Sequence, residues 1–235
     1  MKAVGISEIG LVRQKNEDSF LVDQEHGLFA VCDGMGGHKA GEVASCLAVQ
    51  TIAGNVSFKT ADEAREALTS AIEKANVIIH QEGLENIDLQ DMGTTVTAVA
   101  FIDDQMVVAH VGDSSLFLIH NNSIAKITRD HTLAEKMVTD GLLQVEELRR
   151  NAYNHILTRA VGTTENIVID IFVREIAGGD IILLCTDGLT DLLEEQDIKR
   201  IVAAQNDLNQ AAQDLINLAL TRGGHDNITT VLISV

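Results

Sequence analysis

Hydrophobic residues along this chain follow two rhythms. Five stretches are almost continuously apolar: Leu28–Cys32, 94–102, 106–112, 180–186 and 228–234. Short apolar runs bounded by glycine and polar residues predict buried strands. Residues 2–6, 20–23, 115–120 and 123–127 add shorter strands, and 167–173 alternates as a half-buried one. Asn121-Asn122 is a turn between two of them. Elsewhere the spacing is three and four. Val43, Ala44, Leu47 and Thr51 share one face of a helix predicted over 39–54. Ala64, Ala67, Leu68, Ala71, Ile72, Ala75, Ile78 and Ile79 mark a second helix. A capping box from Thr60 to Glu63 opens it, and Gly83 is predicted to stop it. Two further helices are predicted near 195–204 and 207–222.

The order is strands, helix pair, strands, an irregular polar segment, strands, helix pair, strand. Strands joined by such short turns pair antiparallel. The pattern is α+β, with sheets in the middle and helix pairs outside. Within the irregular segment, 132–140 and 145–150 read as short helices. A polar segment of this length between strong strands predicts a surface flap, at about 132–156. No linker, charge block or internal repeat divides the chain, so one domain over residues 1–235 is expected.

Composition narrows the function. Lys and Arg number 17 against 35 Asp and Glu, a net charge of −18. Two divalent cations would still leave a strongly acidic protein. Nucleic acid and anionic membrane are therefore excluded as expected partners. The first residues carry no long apolar core, no run approaches the ~18 residues that span a bilayer, and the three cysteines lack a pairing pattern. A cytoplasmic protein in a reducing compartment is expected.

The chemistry gathers at strand ends. Leu28–Cys32 runs into Asp33-Gly34-Met35-Gly36-Gly37-His38. Likewise 180–186 runs into Asp187-Gly188, and 106–112 into Asp113 after Gly112. Asp226-Asn227 precedes the last strand. A lone Asp-Gly is ordinarily a turn. Four carboxylates, each near glycine at a strand end, point to an oxygen-ligand site for a hard divalent cation. Arg13 reads either as a surface arginine or as a bidentate phosphate clamp. Glu17 and Asp18 either orient metal-bound water or are simply solvated. Met92-Gly93-Thr94-Thr95 would let a strand pass close to the centre. No dinucleotide loop, P-loop, Cys-x-x-Cys, His-Glu-x-x-His or Gly-x-Ser-x-Gly is present.

In order along the whole chain stand Arg13 with Asn16-Glu17-Asp18, Asp33-Gly34-Met35-Gly36-Gly37-His38, Gly93-Thr94-Thr95 and His110-Val111-Gly112-Asp113-Ser114. Arg129-Asp130-His131-Thr132, Leu157-Thr158-Arg159-Ala160, Thr186-Asp187-Gly188 and Asp226-Asn227 follow. This series resembles the metal-dependent serine/threonine protein phosphatases, the type 2C family, in its compact bacterial branch. The resemblance implies a central antiparallel β-sandwich flanked by helix pairs, in four αββα layers. It implies a Mn²⁺ or Mg²⁺ pair in which Asp33 bridges both ions, the Gly34 carbonyl binds one, and Asp187 and Asp226 bind the other. Glu17 and Asp18 would act through bound waters, and Asp113 with Asp187 would hold a third ion near the flap. A hydroxide held between two ions about 3.5–4 Å apart would attack phosphorus in line while Arg13 neutralises the phosphate. The substrates implied are phosphoserine and phosphothreonine proteins, with a bacterial Ser/Thr kinase as the opposing partner and a monomeric enzyme.

Three departures stand out. Met35 replaces a histidine proposed as general acid in many eukaryotic members, which leaves His38 or bound water as the proton source. Ser115 replaces an arginine after Gly-Asp-Ser. The flap lacks the proline common there, and flap sequence bears on substrate choice. Two alternatives remain, a non-catalytic phosphoprotein-binding regulator on the same fold and a small-molecule phosphatase.

Overall fold

The computed structural model describes residues 1–36, 40–54 and 58–235, and of Arg149 and Arg150 the backbone alone. Eleven strands form among the described residues: β1 Lys2–Glu8, β2 Asp18–Asp23, β3 Leu28–Met35, β4 Gly93–Thr94, β5 Val96–Ile102, β6 Gln105–Val111, β7 Ser115–His120, β8 Ser123–Lys126, β9 Asp170–Glu175, β10 Ile181–Cys185 and β11 Ile228–Ser234. Six helices accompany them: α1 Ala40–Ala53, α2 Ala61–Glu85, α3 Leu133–Thr139, α4 Asp187–Thr190, α5 Glu195–Ala204 and α6 Leu208–Thr221. One sheet has the order β1-β11-β10-β7-β8 and the other β2-β3-β5-β6-β9, with β4 paired to β3. Every ladder is antiparallel.

Successive side chains of a strand point to opposite faces. In β3, Phe29 and Val31 enter the layer between the sheets, against Ile182, Leu184, Val231 and Ile233 of the other sheet. Leu28, Ala30 and Cys32 of the same strand face outward under α1 and α2. Leu183, Cys185 and Leu232 face outward under α5 and α6. Both faces of each central strand are thus covered, which is why these segments read as unbroken apolar runs. The result is four layers, helix pair, sheet, sheet, helix pair, as expected.

Several boundaries moved, for local reasons. Helix α2 passes through Gly83 and ends at Asn86, whose N–H reaches the Glu82 carbonyl while its side chain accepts from Asp88 N. Gly83 keeps a helical backbone, and the asparagine is the true stop. At the other end Thr60 accepts from Glu63 N, but the Glu63 carboxylate takes Lys59 N rather than Thr60 N, so the expected capping box is not closed. Strand β9 begins three residues later than the alternation predicts, with the His110–Asp170 pair as the first rung of its ladder to β6. Asn121 and Asn122 both have positive φ, 45° and 61°, the hairpin geometry asparagine tolerates. Residues 84–92 hold the end of α2 and a single 3₁₀ turn, Ile87–Leu89.

Candidate active site

The apolar run of β3 carries Asp33 to a sheet end, where its backbone is held on two sides. Asp33 N donates to Thr95 Oγ1 at 2.9 Å, and its carbonyl accepts from Thr95 N at 2.8 Å and Thr94 Oγ1 at 2.9 Å. Thr95 therefore leaves the ladder, which splits the expected strand 94–102 into β4 and β5. The next residue must be glycine: a Cβ on Gly34 would lie 2.0 Å from the Gly41 carbonyl oxygen. A Cβ on Gly188 would likewise lie 2.0 Å from the Asn227 oxygen, so β10 and β11 bring Asp187 and Asp226 together only because this residue is bare.

Asp18 pairs with Asp33 across β2 and β3. It is buried, and one carboxylate oxygen accepts from Thr186 Oγ1 at 2.9 Å and Thr229 Oγ1 at 2.7 Å. Its other oxygen, and Oδ1 of Asp187, have no hydrogen-bond partner. Asn227 pins the loop before β2. Its amide donates to the Ile9 and Lys15 carbonyls at 2.9 and 2.8 Å, and its Oδ1 accepts from Glu17 N at 2.8 Å.

Arg13, Glu17, Asp33, Gly34, Met35, Asp113, Asp187 and Asp226 all border one cleft of about 620 Å³, together with Thr95, Asn227 and the flap residues 155–157. Asp18 lies behind that lining. The expected residues thus converge, except that His38 lies outside the described residues. Arg13 Nη2 lies 2.7 Å from Asp226 Oδ2, which raises the arginine pKa.

The carboxylates are crowded and dry. Burial, then the charges of its neighbours, push Asp33 and Asp113 well above the ordinary aspartate range. Burial also lifts Asp18 to about 7 and, with the charge of Asp191, Asp187 to about 6. Glu17 is raised by burial. Buried carboxylates with unpartnered oxygens are costly unless a cation or proton compensates. A hard divalent cation, which takes oxygen ligands, fits this donor set.

A family profile described as Protein phosphatase 2C matches residues 12–222. The chain belongs to the protein phosphatase 2C family. A serine/threonine phosphatase, Stp, of Listeria monocytogenes is 34% identical over 231 residues, 95% of this chain and 92% of that protein. The crystal structure of the Mycobacterium tuberculosis serine/threonine phosphatase PstP/Ppp superposes with a TM-score of 0.94 at 33% identity, covering 100% of this chain and 98% of that one. The catalytic domain of a serine/threonine phosphatase PstP in complex with two manganese ions gives a TM-score of 0.89 at 34% identity, covering 98% and 96%.

Two features of this protein phosphatase 2C member were not foreseen. The Asp187-Gly188-Leu189-Thr190 segment is helix α4, so Asp187 sits at a helix start rather than only at a strand end. His155, within the expected flap, borders the cleft, and its ring lies with Asp187 and Asp191 such that one donor atom from each falls within 4.8 Å of the others. No periodicity marks such a residue; only the chain path of the flap brings it there.

Proposed function

We propose that this protein phosphatase 2C member removes phosphate from phosphoserine and phosphothreonine side chains of proteins, using two Mn²⁺ or Mg²⁺ ions in the cleft. Asp33, the Gly34 carbonyl, Asp187 and Asp226 would hold the pair, and Asp113 with Asp187 a third ion. When bound, such ions act as Lewis acids toward phosphoryl oxygens and lower the pKa of attacking water. The observation that carries this reading is the convergence of buried, mutually repelling carboxylates with unpartnered oxygens on one cleft that also presents Arg13.

The chain's own groups have separable tasks. With Asp226 holding a cation, the Arg13 guanidinium would be available to the phosphate, a geometry suited to two parallel N–H···O contacts. Glu17 would accept hydrogen bonds from water in the cleft, and Asp18, behind the lining with its orientation fixed by two threonine hydroxyls, would act from there through its unpartnered oxygen. The thioether of Met35 carries no proton, so the leaving oxygen draws its proton from His38 or from water. Residues 132–156 act as a flap beside the cleft, within one catalytic unit spanning residues 1–235.

Phosphorylated proteins are the partners, with a Ser/Thr kinase making the substrate. The enzyme works as a monomer in the cytoplasm. Three unpaired cysteines, Cys32, Cys46 and Cys185, suit that compartment. No helix among the described residues is long and apolar enough to cross a membrane.

The test is Asp33→Asn. It keeps the side-chain volume and loses the charge that would bridge two ions. Hydrolysis of a phosphothreonine peptide with Mn²⁺ is expected to fall at least about a hundredfold, close to 3 kcal/mol of barrier, with the circular dichroism spectrum retained. Undiminished hydrolysis would end the proposal.

A further inference from the structure

His131 is buried and uses every polar group it owns. Its N–H donates to the Gly112 carbonyl at 2.8 Å, and its ring Nδ1 accepts from Gly112 N at 3.1 Å. Its own carbonyl accepts twice from Thr158, from the amide at 2.7 Å and the hydroxyl at 3.0 Å. Its Nε2 lies 3.2 Å from Asp170 Oδ2, and Asp170 Oδ1 in turn accepts from Arg159 at 2.7 Å. The bond from Gly112 fixes the tautomer. Nδ1 is bare, so a neutral ring carries its proton on Nε2 and donates it to Asp170. The 3.1 Å approach of Arg159 Nη1 to Nε2 is then a packing contact. The ring also packs against buried His110, with centroids 4.7 Å apart and planes tilted by 40°.

The segments tied together are distinct. Gly112 immediately precedes Asp113 in the cleft. Thr158 directly follows the Thr132–Leu157 bridge, where the flap returns. Asp170 opens β9. Gly112 has φ +108°, and a Cβ there would lie 2.5 Å from Thr95 Cγ2. Thr95 is the residue that brackets Asp33. A displaced Gly112 would therefore disturb both Asp113 and the support of Asp33.

We propose that His131 is a positioning residue which locks the Gly112–Asp113 turn to the start of β9 through its two ring nitrogens, while its backbone carbonyl holds Thr158 at the base of the flap. The consequence for metal rests on the reading of Asp113 as a ligand. Groups that orient ligands from behind typically change metal affinity ten- to a hundredfold when removed.

Two variants separate the halves of the clasp. His131→Asn keeps an acceptor where Nδ1 stands and loses the donor to Asp170. His131→Gln keeps a donor where Nε2 stands and loses the acceptor for Gly112. Amide exchange at Gly112 is measured in metal-free protein, and Mn²⁺ binding by titration calorimetry. The Gln variant is expected to expose Gly112 to exchange and to bind its weakest Mn²⁺ roughly tenfold less tightly. The Asn variant keeps both and instead raises KM for a phosphopeptide, with kcat held. Equal behaviour of the two variants in exchange and Mn²⁺ affinity overturns the proposal, because a merely structural histidine would not distinguish them. Nitrogen NMR of the wild-type ring gives a check that needs no variant. A bare Nδ1 with a protonated Nε2 supports the clasp, and the opposite tautomer overturns it. Separation of the variants by Gly112 exchange, with no third Mn²⁺ in any of them, supports the clasp and removes Asp113 from the metal site.

Discussion

The strand-end centre and the flap border the same cleft and are built in opposite ways. Around Asp33 and Asp18 the backbone and one Asp18 oxygen are answered by other segments: Thr94 and Thr95 hold the Asp33 backbone, Thr186 after β10 and Thr229 of β11 hold Asp18, and Asn227 just before β11 takes Glu17 N. Glycines at 34 and 188 remove side-chain atoms that would keep these backbones apart. The flap is pinned at its base by the Thr132–Leu157 bridge and by Leu133 N to Ile156 O. Beyond that base it exposes Leu142 and Val145, and at the base the side chains of Tyr153 and Ile156. Close packing fixes the groups that do the chemistry. Exposed apolar side chains on a loosely held segment suit contact with a substrate surface.

The contrast breaks first at Gly34. Gly34→Ala places a methyl 2.0 Å from a backbone oxygen that no rotamer can move. Loss of about 4 kcal/mol or more is expected in guanidinium unfolding, the range of severe backbone and overpacking lesions. A loss below about 1 kcal/mol would show that α1 and β3 can slide apart.

A smaller effect comes from pH. Asp18, Asp33, Asp113 and Asp187 have folded pKa values above the ordinary aspartate value of about 3.9. Without metal the folded state then holds more protons than the unfolded state between about pH 4 and 7. Stability is fully present below that window and is lost as pH rises through it. The metal-free protein is expected to melt a few degrees higher at pH 5.5 than at pH 7.5, and Mn²⁺ at pH 7.5 to erase that difference. A metal-free Tm that is higher at pH 7.5 would contradict the crowding of these carboxylates.

The smallest effect on stability belongs to the flap. Leu142→Ser removes an exposed side chain, and stability is expected to stay within about 0.5 kcal/mol of the parent. KM for a phosphorylated protein is expected to rise a few-fold. An unchanged KM would separate this part of the flap from substrate contact.

The same contrast explains what could be read from residues alone. The α+β layering was legible because both faces of β3, β10 and β11 are covered, which writes unbroken apolar runs. Asp33 and Asp187 were legible because an apolar run ends in each, directly before a glycine, and Asp226 because it stands just before the last run, two residues after Gly224. Strand alternation cannot show that Thr95 leaves its ladder to bracket Asp33, since that depends on a partner 62 residues away. Nor can local spacing place His155 beside Asp187, or join His131 to Gly112 and Asp170. Gly83 misled because glycine ends helices only where a left-handed residue is needed, and here Asn86 supplies the stop.

The most direct test is hydrolysis of a phosphothreonine peptide by the purified protein after EDTA treatment, and again after adding Mn²⁺ or Mg²⁺. Activity abolished by EDTA and restored by either ion is the predicted result. Turnover that continues unchanged in EDTA would contradict a phosphatase whose strand-end carboxylates work by gathering divalent cations.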